Sequence, residues 1–248
     1  MFGLFSDSYY SWDKVYQREI KNYNEDSNDQ GTVWFSDSGA EEKVEEYLEN
    51  LASEGRLIKS VEDVENPDGA PTSFLDLGTG NGHMLFTLRD DDWRGFMLGV
   101  DYSAASVKLT DEINQSRDDD ASVIFQEYDI LSGDGFPNQP RAAGGFDVVL
   151  DKGTFDAVSL SSDKDFAGRR ICEIYSSSIK QLVKTGGLFI ITSCNWTEDE
   201  LRAWFEGGNE SEVDCFKLKD RLKYPKFTFG GKSGQSVVTL VFTKEKLR

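Results

Sequence analysis

From Phe74 onward the chain alternates short apolar runs with stretches of helical periodicity. Phe74-Leu75-Asp76-Leu77, Phe96-Met97-Leu98-Gly99-Val100, Ser122-Val123-Ile124-Phe125-Gln126, Phe146-Asp147-Val148-Val149-Leu150 and Leu188-Phe189-Ile190-Ile191-Thr192 each have strand length and strand composition. Between them, Met84 to Leu88 reads as helix, and Ser103 can cap a helix carrying Val107 and Ile113. Ile171, Ile174, Tyr175, Ile179, Leu182 and Val183 form one helical stripe expected to stop at Gly186-Gly187. A short helix from Thr197 to Phe205 opens with Thr197 as N-cap and Glu200 at the capping-box position. Alternation of this kind predicts an α/β, doubly wound, mainly parallel sheet covered on both faces.

Upstream, Val44, Tyr47, Leu48 and Leu51 mark an amphipathic helix. Tyr9 to Phe35 is aromatic and polar, and reads as more arm than core. The expected organisation is therefore an N-terminal arm over residues 1–40 and one catalytic domain over residues 41–248. The acidic runs Asp90-Asp91-Asp92 and Asp118-Asp119-Asp120 read as solvated loops. Ser132 to Gly145, rich in Gly, Pro and Asn, reads as another.

Composition narrows the function. At 248 residues and 38% hydrophobic content, the chain can bury one substantial core. No stretch approaches the length of a membrane span and no secretory signal is visible, so a cytoplasmic location without membrane contact is expected. Cys172, Cys194 and Cys215 lie far apart without C-x-x-C spacing, and His83 is the only histidine, so no metal site is expected. A formal charge of −18 disfavours a nucleic-acid substrate and favours a basic macromolecular partner. Asn195-Trp196-Thr197 and Asn209-Glu210-Ser211 fit glycosylation sequons but lack a secretory context. Gly231-Lys232-Ser233 lacks the upstream glycine of a phosphate-binding loop, Lys226 standing there instead.

The chemistry begins where the first strand runs into Gly78-Thr79-Gly80-Asn81-Gly82, a turn expected at the surface. Glycines at alternate positions admit positive φ and let bare backbone approach a ligand. A dinucleotide fingerprint would need its third glycine at position 83, which is His83. The spacing found, headed by Asp76, resembles motif I of class I S-adenosylmethionine (SAM) dependent methyltransferases. The resemblance implies that Asp76, Gly78, Gly80 and Gly82 hold the methionine part of the cofactor. A carboxylate suits its cationic groups and would repel a phosphate. Asp101 closes the second strand roughly twenty residues on, where a carboxylate can accept both ribose hydroxyls. Tyr102 follows it, and Asp129 and Ile130 end the third strand, where this class contacts the adenine.

Asp151-Lys152-Gly153-Thr154-Phe155-Asp156-Ala157, Ser193-Cys194-Asn195-Trp196-Thr197 and Pro225 to Gly234 make the resemblance more specific. With Trp12-Asp13, Tyr16, Glu19 and Val33-Trp34-Phe35, they resemble the elongation factor 1-alpha lysine methyltransferase family, in the branch related to methyltransferase-like protein 10. The resemblance covers about Tyr10 to Phe242. It implies a seven-stranded sheet closed by an antiparallel pair near Cys215 to Leu218 and Val237 to Phe242. It also implies SAM as cofactor, elongation factor 1-alpha as partner, and methyl transfer to a neutral lysine amine. Asp151 is the expected catalytic residue, orienting the amine or the cofactor. Trp12, Tyr16, Trp34, Phe35 and Trp196 are the expected walls, and His83 takes no catalytic role. A SAM-binding regulatory module without turnover and a small-molecule methyltransferase are the alternatives.

Overall fold

The computed structural model describes residues 6–247 except 64–68, 118–122, 133–135, 137–143, 162–163, 165–167, 207–213, 226, 230–231 and 235. The run Asp118 to Asp120, the sequon at Asn209 and most of the loop from Ser132 to Gly145 fall outside the described residues. The five apolar runs become β1 (Phe74–Leu77), β2 (Met97–Asp101), β3 (Ile124–Glu127), β4 (Phe146–Lys152) and β5 (Val183–Ser193). All pair in parallel. Then follow β6 (Asp214–Leu222), a separate hairpin of β7 (Phe227–Phe229) and β8 (Lys232–Gly234), and β9 (Val238–Lys246). β9 inserts antiparallel between β5 and β6, giving the order β3-β2-β1-β4-β5-β9-β6. This is the doubly wound, seven-stranded, mainly parallel sheet that the sequence implies.

Strand alternation sends side chains to two cores. Phe74, Met97, Val148, Leu188 and Ile190 face α1 (Ser6–Glu25), α2 (Ala40–Ser53), α3 (His83–Asp90) and α4 (Ala104–Ser116). Leu75, Leu77, Leu98, Val149, Phe189 and Ile191 face α5 (Thr154–Leu160), α6 (Cys172–Leu182) and α7 (Glu198–Phe205). Burying each such side chain contributes about 1.5–3 kcal/mol, so this double layer is the main source of order in the sheet. Local signals fix the helix starts. The Ser103 hydroxyl accepts the Ser106 N–H at 3.2 Å, and Thr197 with Glu200 closes a full capping box.

Two expectations need correction. α6 stops at Leu182, not at Gly186-Gly187, because Val183 is drawn into the sheet opposite Phe146. The glycines lie inside β5 instead, with Gly186 at φ 84°. Within residues 1–40, the stretch read as more arm than core supplies a 20-residue helix, α1, with Tyr16 and Tyr23 buried against α4 and its neighbours.

Candidate active site

The strand order reverses between β1 and β4, where chain connections leave in opposite directions. A crevice opens there at the carboxyl ends of the strands. It encloses about 320 Å³, in the range of small-molecule sites. Its wall carries Gly78, Val100, Asp101, Tyr102, Tyr128, Asp129, Ile130 and Leu131 from the strand ends and the loops that follow them. Trp12, Tyr16, Trp34, Phe35, Lys152, Thr154, Asp156 and Cys194 line it too. Of the expected site residues, the fold thus gathers Gly78, Asp101, Tyr102, Asp129 and Ile130 on the cleft wall, with four of the five expected aromatic walls. Trp196 is the exception; it packs against Phe155 and Trp204 and donates to the Ser159 hydroxyl.

The glycine turn works as the pattern requires. Gly78, Gly80 and Gly82 have φ of 62°, 61° and 77°, a left-handed conformation that a Cβ disfavours. A Cβ on Gly78 would collide with the Thr154 hydroxyl, and one on Gly80 would come within 2.9 Å of the Tyr16 hydroxyl. Gly78 is exposed in the cleft, whereas Gly80 and Gly82 are buried and do not line it, so only the first part of the turn is at the surface as expected; Tyr16 of α1 packs over Gly80. Asp101 accepts the N–H groups of Gly80 at 3.1 Å and Ser103 at 2.9 Å, which fixes its carboxylate at the cleft. Asp76 sits beneath the turn, accepting the Thr79 hydroxyl at 2.8 Å, and is not a lining residue. Burial pushes Asp76 up to about 7 and Asp101 up to about 6.

Asp151 does not line the cleft. Its carboxylate is 2% exposed and already accepts the N–H groups of Thr154 and Phe155 and the Tyr175 hydroxyl, at 2.9, 3.2 and 2.7 Å. The reason is that β4 runs two residues beyond Leu150, so Asp151 is still a strand residue and points into the packed layer that holds α6. The acidic residue of that motif on the cleft wall is Asp156, from the first turn of α5. It accepts the Ser193 hydroxyl at 2.5 Å and the Cys194 N–H at 2.8 Å.

The segment between α1 and α2 crosses the site as a strap, which the sequence pattern does not show. Glu19 accepts the Thr32 N–H at 3.0 Å, the Asn81 amide donates to the Gln30 carbonyl at 3.0 Å, and the Lys152 ammonium donates to the Trp34 carbonyl at 3.2 Å. Lys152 also pairs with Glu41 at 3.3 Å, and Glu41 with His83 at 2.6 Å. Burial pushes the Glu41 carboxyl up, but these two partners outweigh it and hold it below its ordinary range; the same bond raises His83. His83 therefore braces α3 against α2.

The lining suits a SAM-like cofactor: carboxylates for cations and ribose hydroxyls, apolar and aromatic side chains for a flat ring and, among the described residues, no cluster of cations for a pyrophosphate. Among the described residues no group of His, Cys, Asp and Glu could hold a metal ion, and no helix is long and apolar enough to cross a membrane.

Comparison with known proteins agrees with this chemistry. Residues 68–237 match the family model described as a methyltransferase domain. The protein-lysine N-methyltransferase EFM4 of Saccharomyces cerevisiae is 38% identical over 234 residues, covering 94% of this chain and 92% of that protein. The human EEF1A lysine methyltransferase 2 is 35% identical over 233 residues, covering 94% and 84%. Among solved structures, a SAM-bound magnesium protoporphyrin IX methyltransferase from Synechocystis superposes with a TM-score of 0.56 at 12% identity, covering 97% of this chain and 99% of that one. The N-methyltransferase NodS from Bradyrhizobium japonicum gives 0.54 at 12% identity, covering 96% and 98%. At that identity the likeness speaks for the fold alone.

Proposed function

We propose, from the premise that this chain belongs to the family of EFM4 and EEF1A lysine methyltransferase 2, that it is a SAM-dependent protein-lysine N-methyltransferase acting on elongation factor 1-alpha. The observation that carries this reading is a cleft whose wall joins Asp101 and Asp129, from the ends of β2 and β3, to the aromatic rings of Trp12, Tyr16, Trp34 and Phe35. In this reading Asp101 takes the ribose hydroxyls and Tyr102, Asp129 and Ile130 take the adenine. Gly78 presents backbone to the methionine part. Asp76, Gly80 and Gly82 hold that turn in shape, and Asp151 sets the start of α5.

The cofactor supplies a methyl group on a positively charged sulfur. The protein must then deliver a neutral amine in line with it. A free lysine has a pKa near 10.4, so deprotonating it at pH 7 costs roughly 4–5 kcal/mol. Trp12 and Phe35, half-buried on the cleft wall, partly desolvate the amine there, which lowers that cost by disfavouring the ammonium form. Holding the amine in line supplies much of the remaining acceleration. The −18 charge supports a basic protein substrate over a nucleic acid, and a cytoplasmic location is part of the same reading.

The deciding experiment incubates the protein with labelled SAM and elongation factor 1-alpha and maps the label by mass spectrometry. Label on a lysine is expected; none would sink the assignment.

A further inference from the structure

Asp156 stands where the acceptor should be. In the order β2-β1-β4-β5, three strand spacings separate Asp101 at the end of β2 from Ser193 and Cys194 at the end of β5, on the order of 14 Å. A cofactor whose ribose sits at Asp101 extends across β1 and β4, and the space left to the amine lies toward β5. Asp156 lines that part of the cleft while being only 5% exposed, so its carboxylate is largely sheltered from bulk water.

Its bonding leaves it able to act. One carboxylate oxygen takes the Ser193 hydroxyl and the other the Cys194 N–H, and the Cys194 thiol also bonds to the carboxylate. A carboxylate offers about four acceptor positions, so these three donors leave capacity for an amine N–H. Asp151, by contrast, is saturated by its backbone donors and Tyr175. Lys152, on the same wall, has its ammonium engaged by Glu41 and the Trp34 carbonyl. The titratable groups around Asp156 are Asp151 from β4, Tyr175 from α6 and Cys194 after β5.

We propose that Asp156 is the catalytic residue on the acceptor side, accepting an N–H of the incoming lysine amine and aiming its lone pair at the methyl carbon. The assignment rests on the methyltransferase reading above. The lone pair forms the N–C bond, the C–S bond breaks with its electrons passing to sulfur, and the alkylated nitrogen sheds its proton to solvent. Ser193 and the Cys194 amide are positioning groups that keep the carboxylate from turning away.

The test measures kcat for elongation factor 1-alpha against pH in the parent, Asp156→Asn and Asp156→Glu, with SAM affinity by calorimetry and melting by circular dichroism. The expected Asn variant melts cooperatively and binds SAM within about twofold of the parent. Its plateau kcat falls at least about tenfold. Because a facing carboxylate raises the pKa of an ammonium, removing it should also move the acidic limb of the kcat profile down by about one pH unit. Asp156→Glu, which keeps the charge, should return the limb toward the parent position. Loss of SAM affinity or of cooperative melting in the Asn variant, an unchanged kcat, or a fall in kcat with the limb unmoved would each overturn the assignment. A parent protein that methylates no lysine would instead overturn the methyltransferase reading itself.

Discussion

Asp76 and Asp101 carry charge into a place where burial resists it, and this has a measurable cost in the free protein. Both are raised, to about 7 and about 6, so the stability they contribute is present at acid pH and is lost as pH rises through those values. A ligand bearing an ammonium and a sulfonium reverses the shift, since nearby opposite charge favours the carboxylate. Cofactor binding near pH 6.5 should therefore release protons, and near pH 8.5 should not. Calorimetry in buffers of different ionisation enthalpy reads this directly. Asp101→Ala should lower SAM affinity at least tenfold, because each lost charge-assisted bond is worth roughly 1.5–3 kcal/mol. A twofold change would make Asp101 an ordinary turn residue. These two carboxylates were legible in sequence because Asp76 heads the glycine turn and Asp101 closes the next apolar run. Asp151 and Asp156 were not separable, because which of them faces the cleft depends on β4 continuing to Lys152 opposite Thr192. That pairing is a long-range event with no local signature.

Helix α1 shows how an element can be missed by its composition and found by its spacing. Trp12, Tyr16, Glu19 and Tyr23 recur at helical intervals on one face, but a glutamate interrupts the stripe and the apolar members are amphipathic aromatics. In the fold α1 clamps α4 near both ends. Asp13 accepts the Ser103 hydroxyl at 2.9 Å and the Ala105 N–H at 3.4 Å, at the positive end of α4, while Tyr23 donates to Ser116 at 2.9 Å near its last turn. Asp13→Ala and Tyr23→Phe should each reduce unfolding free energy by about 1 kcal/mol in urea titrations. Asp13→Ala should also weaken SAM binding, since Trp12 and Tyr16 line the cleft. Unaltered affinity would show that the helix does not shape the site. The strap escaped the sequence for a related reason. Its anchors, Glu19, Asn81 and Lys152, come from three separate elements and meet only after folding.

At the scale of the molecule, the sheet and its two packed faces were readable because parallel strands buried on both sides leave continuous apolar runs. The −18 charge acts at this scale too. If it steers a basic protein to the cleft, methylation below saturation should slow as salt rises, since screening shortens the field to about 8 Å at physiological ionic strength. SAM affinity, set by short contacts, should change much less. Equal sensitivity would assign the acidity to solubility alone. The sheet order has a different consequence, in time. β6 is synthesised before β9, the strand that joins it to β5, so a growing chain emerges with the edge of β5 open. Phe189, Ile191 and Phe216, all buried in the finished fold, wait for Val238–Lys246 to arrive. A chain stopped before Val238 keeps that edge open and should collect in the insoluble fraction.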